Sequence, residues 1–98
     1  MKSITTAELA ELGERANLID VRESDEYANG HIPWARNVPL SDFAAQADGL
    51  RSAEPLYVVC QAGGRSAKAV EYLAGIGVDA VNVEGGTGAW IAEGRPTA

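Results

Sequence analysis

The chain carries one cysteine, Cys60, at the end of a short apolar run, Leu56-Tyr57-Val58-Val59. Gln61, Ala62, Gly63, Gly64, Arg65 and Ser66 follow, and a helix-forming stretch begins at Ala67. A free thiol has a pKa of about 8.5 and is only a few per cent thiolate at neutral pH, so it is a weak nucleophile. The residues after Cys60 have the means to change that. A helix start carries roughly half a positive charge and free N–H groups that bind anions. Gly63 and Gly64 can adopt positive φ, which lets successive N–H groups turn inward as an anion-binding nest. Arg65 adds a full positive charge. A drop of about two pKa units, ~2.7 kcal/mol, would make the thiolate the majority form at pH 7. The same N–H groups would then hold the oxygens of a small anionic substrate. Taken singly, these residues have plainer roles: a lone cysteine at a strand end is a small core hydrophobe, Gly-Gly a loop, and an arginine a solvated charge. Their order is what points to a cysteine nucleophile.

A loop of this kind needs a strand behind it and a helix ahead of it, and the sequence alternates the two throughout. Lys2–Thr5 reads as a first strand and Ala7–Gly13 as a helix, with Thr5 and Glu8 at capping-box spacing. Asn17–Val21 is a second strand, and Glu23–Asn29 a short acidic helix or turn stopped by Asn29-Gly30. Ala35–Val38 is a third strand before Pro39, and Ser41 is placed to cap a helix over Asp42–Ala47. Leu56–Val59 is continuous, apolar and β-branched, the pattern of a strand buried on both faces of a parallel sheet. Ala67–Ala74 is helical, with Ala67, Val70, Leu73 and Ala74 on one side. Ala80–Val83 is the last strand and Gly88–Glu93 a closing helix. Five alternations predict an α/β layered domain with a mostly parallel sheet, and no repeat or linker divides residues 1–98.

Composition limits the function classes. Ninety-eight residues with 46% apolar side chains fit one modest core. A formal charge of −6 argues against nucleic acid or anionic membrane as partners, which need clustered Lys and Arg. One cysteine makes no internal disulfide, and with a single histidine it cannot complete a tetrahedral Cys/His zinc site. The N-terminus has no apolar signal region and no stretch is long enough to span a bilayer, so the expected location is a reducing cytoplasm.

Three segments together resemble the rhodanese family in its single-domain form. They are Leu18-Ile19-Asp20-Val21-Arg22-Glu23 with Glu26-Tyr27 and Gly30-His31-Ile32-Pro33; the loop Cys60–Arg65 followed by Ser66; and Gly85-Gly86 through Trp90, Gly94 and Pro96. The resemblance implies a three-layer α/β/α domain around a five-stranded parallel sheet, with the active loop after the fourth strand. It implies that Cys60 takes a sulfane sulfur from a small-molecule donor such as thiosulfate or a persulfide and passes it to a thiol or to cyanide. The loop from Gln61 to Ser66 would bind the substrate. No metal or organic cofactor is implied. One departure concerns the donor: the loop's second position, often basic in thiosulfate-using members, is the neutral Gln61. Another is Trp34, where the family commonly has glycine; a partly buried packing role is its plainer reading, a pocket wall or partner contact the alternative.

Other candidates read as structural. His31 shapes a turn. Asp20 and Arg22 form a fold-supporting polar pair. Glu23, Asp25 and Glu26 make a solvated helical face. Gly85 and Gly86 turn the chain beside the active loop, and Trp90 belongs to the core. Three rival functions remain. Cysteine-dependent phosphatases and arsenate reductases, including the cell-cycle phosphatases that share the fold, place five residues between Cys and Arg, whereas only four separate Cys60 from Arg65. A smaller cradle suits a sulfur atom better than a tetrahedral phosphate. A non-catalytic binding module would not require the cysteine. A sulfur-relay protein, loaded by a partner's persulfide, would share the chemistry of Cys60 and differ only in donor.

Overall fold

The structure, a computed structural model, describes residues 1–98. Five strands, β1 (Lys2–Ile4), β2 (Asn17–Asp20), β3 (Arg36–Asn37), β4 (Leu56–Val59) and β5 (Ala80–Val83), form one parallel sheet in the order β1-β5-β4-β2-β3. The most apolar strand therefore lies at the centre. β4 pairs with β2, where Asp20 faces Val59, and with β5, where Val58 faces Asn82. A central parallel strand is covered on both faces, which is why Leu56–Val59 reads as a continuous apolar run. β5 closes the strand sequence but is inserted between β1 and β4, a crossover that local pattern does not reveal.

Alternate side chains of each strand feed two cores. On one face Ile19, Leu56, Val58, Cys60 and Ala80 pack against Phe43 of α3 (Phe43–Gln46) and Ala69, Val70 and Leu73 of α4 (Gly64–Gly75). On the other, Leu18, Val59 and Val83 pack against Leu9 of α1 (Thr6–Leu12) and Trp90 of α5 (Gly86–Ala92), with Tyr27 of α2 (Ser24–Ala28) and Trp34 at the margin. This is the three-layer α/β/α arrangement with helices on both sides of a five-stranded parallel sheet.

Helix starts follow capping chemistry in some places and not in others. Thr5 caps α1 in a complete capping box with Glu8. Ser41 does not cap a helix. Its hydroxyl donates to Glu23 at 2.6 Å, and the 42–47 region is a short chain of turns, a 3-10 turn at Leu40–Asp42, then α3, then a second 3-10 turn at Ala47–Leu50. The helix predicted from Ala67 begins three residues earlier, at Gly64. Its buried face carries Ser66, Ala69, Val70 and Leu73, while Ala74 is exposed. The shift brings Arg65 and Ser66 into the first turn of α4. β3 is only Arg36–Asn37, shorter than Ala35–Val38, as suits an edge strand.

Candidate active site

β4 delivers Cys60 to the carboxyl end of the sheet, where parallel α/β folds bind ligands. The chain then makes a turn that needs glycine. Gly63 has φ +108° and precedes the first residue of α4. In that conformation its N–H donates to Cys60 Sγ at 3.1 Å, and Ser66 Oγ lies 3.3 Å from the same sulfur. Cys60 is 1% exposed and Ser66 is fully buried, whereas Gln61, Ala62 and Gly64 are exposed. The surface clefts lie elsewhere. The one flanked by Arg51–Pro55 and Gly77–Asp79 is at the opposite end of β4 and β5.

Burial opposes ionisation of the Cys60 thiol, but the Ser66 hydroxyl and the backbone N–H groups of Ser66, Gly63 and Ala62 together outweigh it. The net effect is a pKa below the ordinary thiol value. The hydrogen bonds are the main source of this stabilisation.

Arg65 brings its charge close enough to Cys60 for the two to interact, but that charge is also paired. Its Nη1 and Nη2 donate to Glu26 Oε1 and Oε2 at 2.7 and 2.9 Å, so one edge of the guanidinium is occupied. Glu26 is therefore not a solvated face residue. The Arg65 hydrogen bonds hold its carboxyl at about 2, well below the usual value. Arg65 is held above its ordinary pKa first by those bonds, and to a smaller extent by the charges of Glu26, Cys60 and Asp20. Glu23 is also engaged, as the N-cap of α2 and as the acceptor of Ser41; Asp25 alone of the three acids is simply exposed.

A second guanidinium approaches the loop from beneath. Arg22 binds Asp20 through Nε at 3.1 Å and Nη2 at 2.9 Å, both residues almost wholly buried. Its Nη2 also donates to Gly30 O at 2.8 Å, and its Nη1 reaches Gln61 Oε1 at 3.3 Å. The predicted polar pair is thus present, and it also anchors the side chain of the loop's second residue.

The start of α5 holds the loop from the other side. Thr87 and Gly88 N–H groups donate to Cys60 O and Gln61 O at 2.8 and 2.9 Å. Gly85 and Gly86 make this approach possible, with φ of +78° and +61°. A Cβ on Gly86 would lie 2.3 Å from Cys60 O. His31 takes no part: its ring stacks on Tyr27 and its Nδ1 faces Tyr27 O at 2.9 Å. Trp34 packs edge-on against Trp90 with ring centroids 5.6 Å apart, and Trp90 is buried. Two residues that matter to the geometry are not part of the site read from the sequence, Glu26 as the Arg65 partner and Asn82 behind Ser66. Asn82 left a trace, a polar side chain within the apolar strand Ala80–Val83, where a buried amide requires a partner.

The fold and loop define a parallel α/β domain with a hydrogen-bonded cysteine at a strand-to-helix turn. Residues 5–93 match the family model of the rhodanese-like domain. The chain is 38% identical to the putative sulfurtransferase YtwF of Bacillus subtilis, over 98% of this chain and 96% of that protein. It is 36% identical to the thiosulfate sulfurtransferase GlpE of Shewanella oneidensis, over 91% of each chain. The crystal structure of a rhodanese-related protein from Thermoplasma volcanium superposes with a TM-score of 0.93 at 38% identity, covering 100% of this chain and 98% of the other. The chain belongs to the rhodanese-like sulfurtransferase family.

Proposed function

We propose that the protein is a sulfurtransferase that carries sulfane sulfur on Cys60. The observation that supports this most directly is the donor set on Sγ, the Gly63 N–H at 3.1 Å and Ser66 Oγ at 3.3 Å. It favours an anionic sulfur at that point, first the thiolate and then the persulfide. The Cys60 thiolate attacks the outer sulfur of thiosulfate. A Cys60 S–S bond forms, the donor's S–S bond breaks, and sulfite leaves with its electron pair. A thiol acceptor, as its thiolate, or cyanide then attacks the outer sulfur of the Cys60 persulfide. The Cys60 thiolate is regenerated and the sulfur leaves as an acceptor persulfide or thiocyanate. No net electron transfer occurs, and no metal or organic cofactor enters the scheme. Gln61, Ala62, Gly63, Gly64, Arg65 and Ser66 form the substrate cradle, the exposed residues at its mouth and Ser66 beneath the sulfur. A reduced Cys60 suits a reducing compartment such as the cytoplasm.

A second reading concerns the donor. Gln61 is neutral, and the guanidiniums of Arg22 and Arg65 are paired with Asp20 and Glu26. That leaves no free cation in the loop for the dianion thiosulfate and favours loading by a persulfide, including one held by a relay partner. The phosphatase reading is disfavoured by loop length, with four residues rather than five between Cys60 and Arg65.

Incubation with thiosulfate, or with a low-molecular-weight persulfide, should add the mass of one sulfur atom to the intact protein. The addition should vanish in Cys60→Ser and reverse with cyanide. Absence of an adduct with both donors would overturn the sulfurtransferase proposal. An adduct from the persulfide alone would select the relay reading.

A further inference from the structure

Asn82 sits on β5, 7% exposed, on the sheet face that carries Cys60 and packs against α4. Its Oδ1 lies 2.6 Å from Ser66 Oγ and its Nδ2 lies 3.4 Å from Gly63 O. Ser66 Oγ in turn stands 3.3 Å from Cys60 Sγ and 3.1 Å from Gly63 O. A serine hydroxyl has one hydrogen, so it cannot donate to all three acceptors. Sulfur is larger than oxygen, so 3.3 Å to Sγ and 2.6 Å to Oδ1 are both hydrogen-bond distances and the two acceptors compete. A separation of 2.6 Å is ordinary for O–H···O and short for N–H···O, which sets the amide oxygen, not the nitrogen, against the hydroxyl. Asn82 Oδ1 is thus the nearest acceptor, and whenever it holds the Ser66 hydrogen a lone pair of Oγ faces the sulfur.

That arrangement completes a chain when Cys60 is a thiol. The S–H donates to Ser66 Oγ, Ser66 O–H donates to Asn82 Oδ1, and Asn82 Nδ2 reaches Gly63 O. Each buried polar group has a partner. A thiolate can only accept. On ionisation the Ser66 hydrogen must turn from Asn82 to the sulfur, and Oδ1 is left without its donor in a buried position.

We propose that Asn82 is a positioning residue for Cys60, its amide oxygen competing with the sulfur for the single hydrogen of Ser66. The proposal rests on the reading of Cys60 as the reactive thiol and adds a control on when it reacts. The N–H groups of Ala62, Gly63 and Ser66 stabilise the thiolate in any case; Ser66 O–H joins them only at the expense of Asn82. The charged groups around the loop are Arg65 with Glu26 on α4 and α2, and Arg22 with Asp20 following and ending β2. Arg65 also interacts with the Cys60 charge and Arg22 also binds Gln61 and Gly30, but neither pair is hydrogen-bonded to Asn82.

The test is the pH dependence of Cys60 alkylation by iodoacetamide in the full chain, which reads the thiol whether or not sulfur is transferred. Asn82→Ala and Asn82→Leu release the Ser66 hydrogen, so the apparent pKa should fall and the rate at pH 7 should rise about threefold. Ser66→Ala should move the pKa up. In the Ser66→Ala background, Asn82→Ala should add nothing. Leucine keeps the side-chain volume and carries the test if the alanine variant does not fold. A pKa that rises or stays unchanged on loss of the amide would overturn the proposal, and so would an equal shift with Ser66 absent.

Discussion

Arg65 and Glu26, 39 residues apart, close a two-pronged ion pair that ties the first turn of α4 to α2 at the rim of the cysteine loop. The Glu26 carboxyl is held at about 2, against a usual value of 4.5, first by its hydrogen bonds from Arg65. A folded-state pKa below the unfolded one stabilises at pH values above the unfolded pKa. The benefit is lost as pH falls from about 4.5 towards 2. Both side chains are more than a third exposed, so solvent screening limits the pair to about 1 kcal/mol or less at pH 7. Urea denaturation should show Glu26→Gln less stable than wild type by that amount at pH 7, with the difference shrinking below pH 4.5. A gap unchanged down to pH 2 would assign it to another cause.

The Asp20–Arg22 pair should behave differently because it is buried, with side chains 0% and 4% exposed. Asp20→Ala leaves a guanidinium in the interior without its counter-charge, a loss of about 3–5 kcal/mol. For a domain with a total stability of ~5–15 kcal/mol, that approaches unfolding at body temperature. Replacing both residues, as Asp20→Leu with Arg22→Met, should recover most of it. If the double variant is no better than the single one, the loss comes from packing rather than from the stranded charge.

Gly86 admits no side chain. An added Cβ meets backbone, Cys60 O at 2.3 Å and Gln61 O at 2.6 Å, and the residue also has positive φ. Backbone cannot rotate aside as a side-chain tip can, so Gly86→Ala should destabilise by about 3 kcal/mol. The displaced loop should also lose sulfur loading at Cys60. Chemical denaturation and the persulfide mass assay measure the two effects independently, and wild-type values in both would show that α5 and the loop tolerate separation.

Charge at position 61 should govern donor choice. Gln61→Lys places a cation beside a loop whose guanidiniums are paired, and the attraction should favour the dianion thiosulfate. At a solvent-facing site the gain is about 1 kcal/mol, so kcat/KM for thiosulfate should rise roughly fivefold and fall back with added salt. A low-molecular-weight persulfide of lower charge should change less. Equal changes for the two donors would point to a reshaped loop rather than to electrostatics.

Much of the site was legible because its parts are local. Strand, cysteine, glycine loop and helix follow one another within Leu56–Gly75, and the roles of Gly63 and the loop N–H groups depend only on backbone conformation. The Thr5–Glu8 capping box and the strands Leu56–Val59 and Ala80–Val83 are local in the same way. Where prediction and structure part, a distant residue had changed the outcome. Helix propensity argued for a start at Ala67. The helix instead begins at Gly64, where the Ser66 N–H faces the sulfur and Arg65 has Glu26 to bind. Ser41 had the chemistry of an N-cap, but Glu23 offered its hydroxyl a charged acceptor.

The sequence by itself determined the class of fold through alternating apolar runs and the family through the resemblance of three segments, and it holds a single thiol. The tertiary structure alone decided which charges reach that thiol. Arg65 is paired with Glu26, Arg22 with Asp20, and Ser66 Oγ lies 2.6 Å from Asn82 Oδ1. Each partner comes from another strand or helix or depends on how the chain turns at the end of the sheet. Electrostatics and hydrogen bonding act through space, so these pairings form only when the packed sheet brings distant residues within about 3 Å of one another.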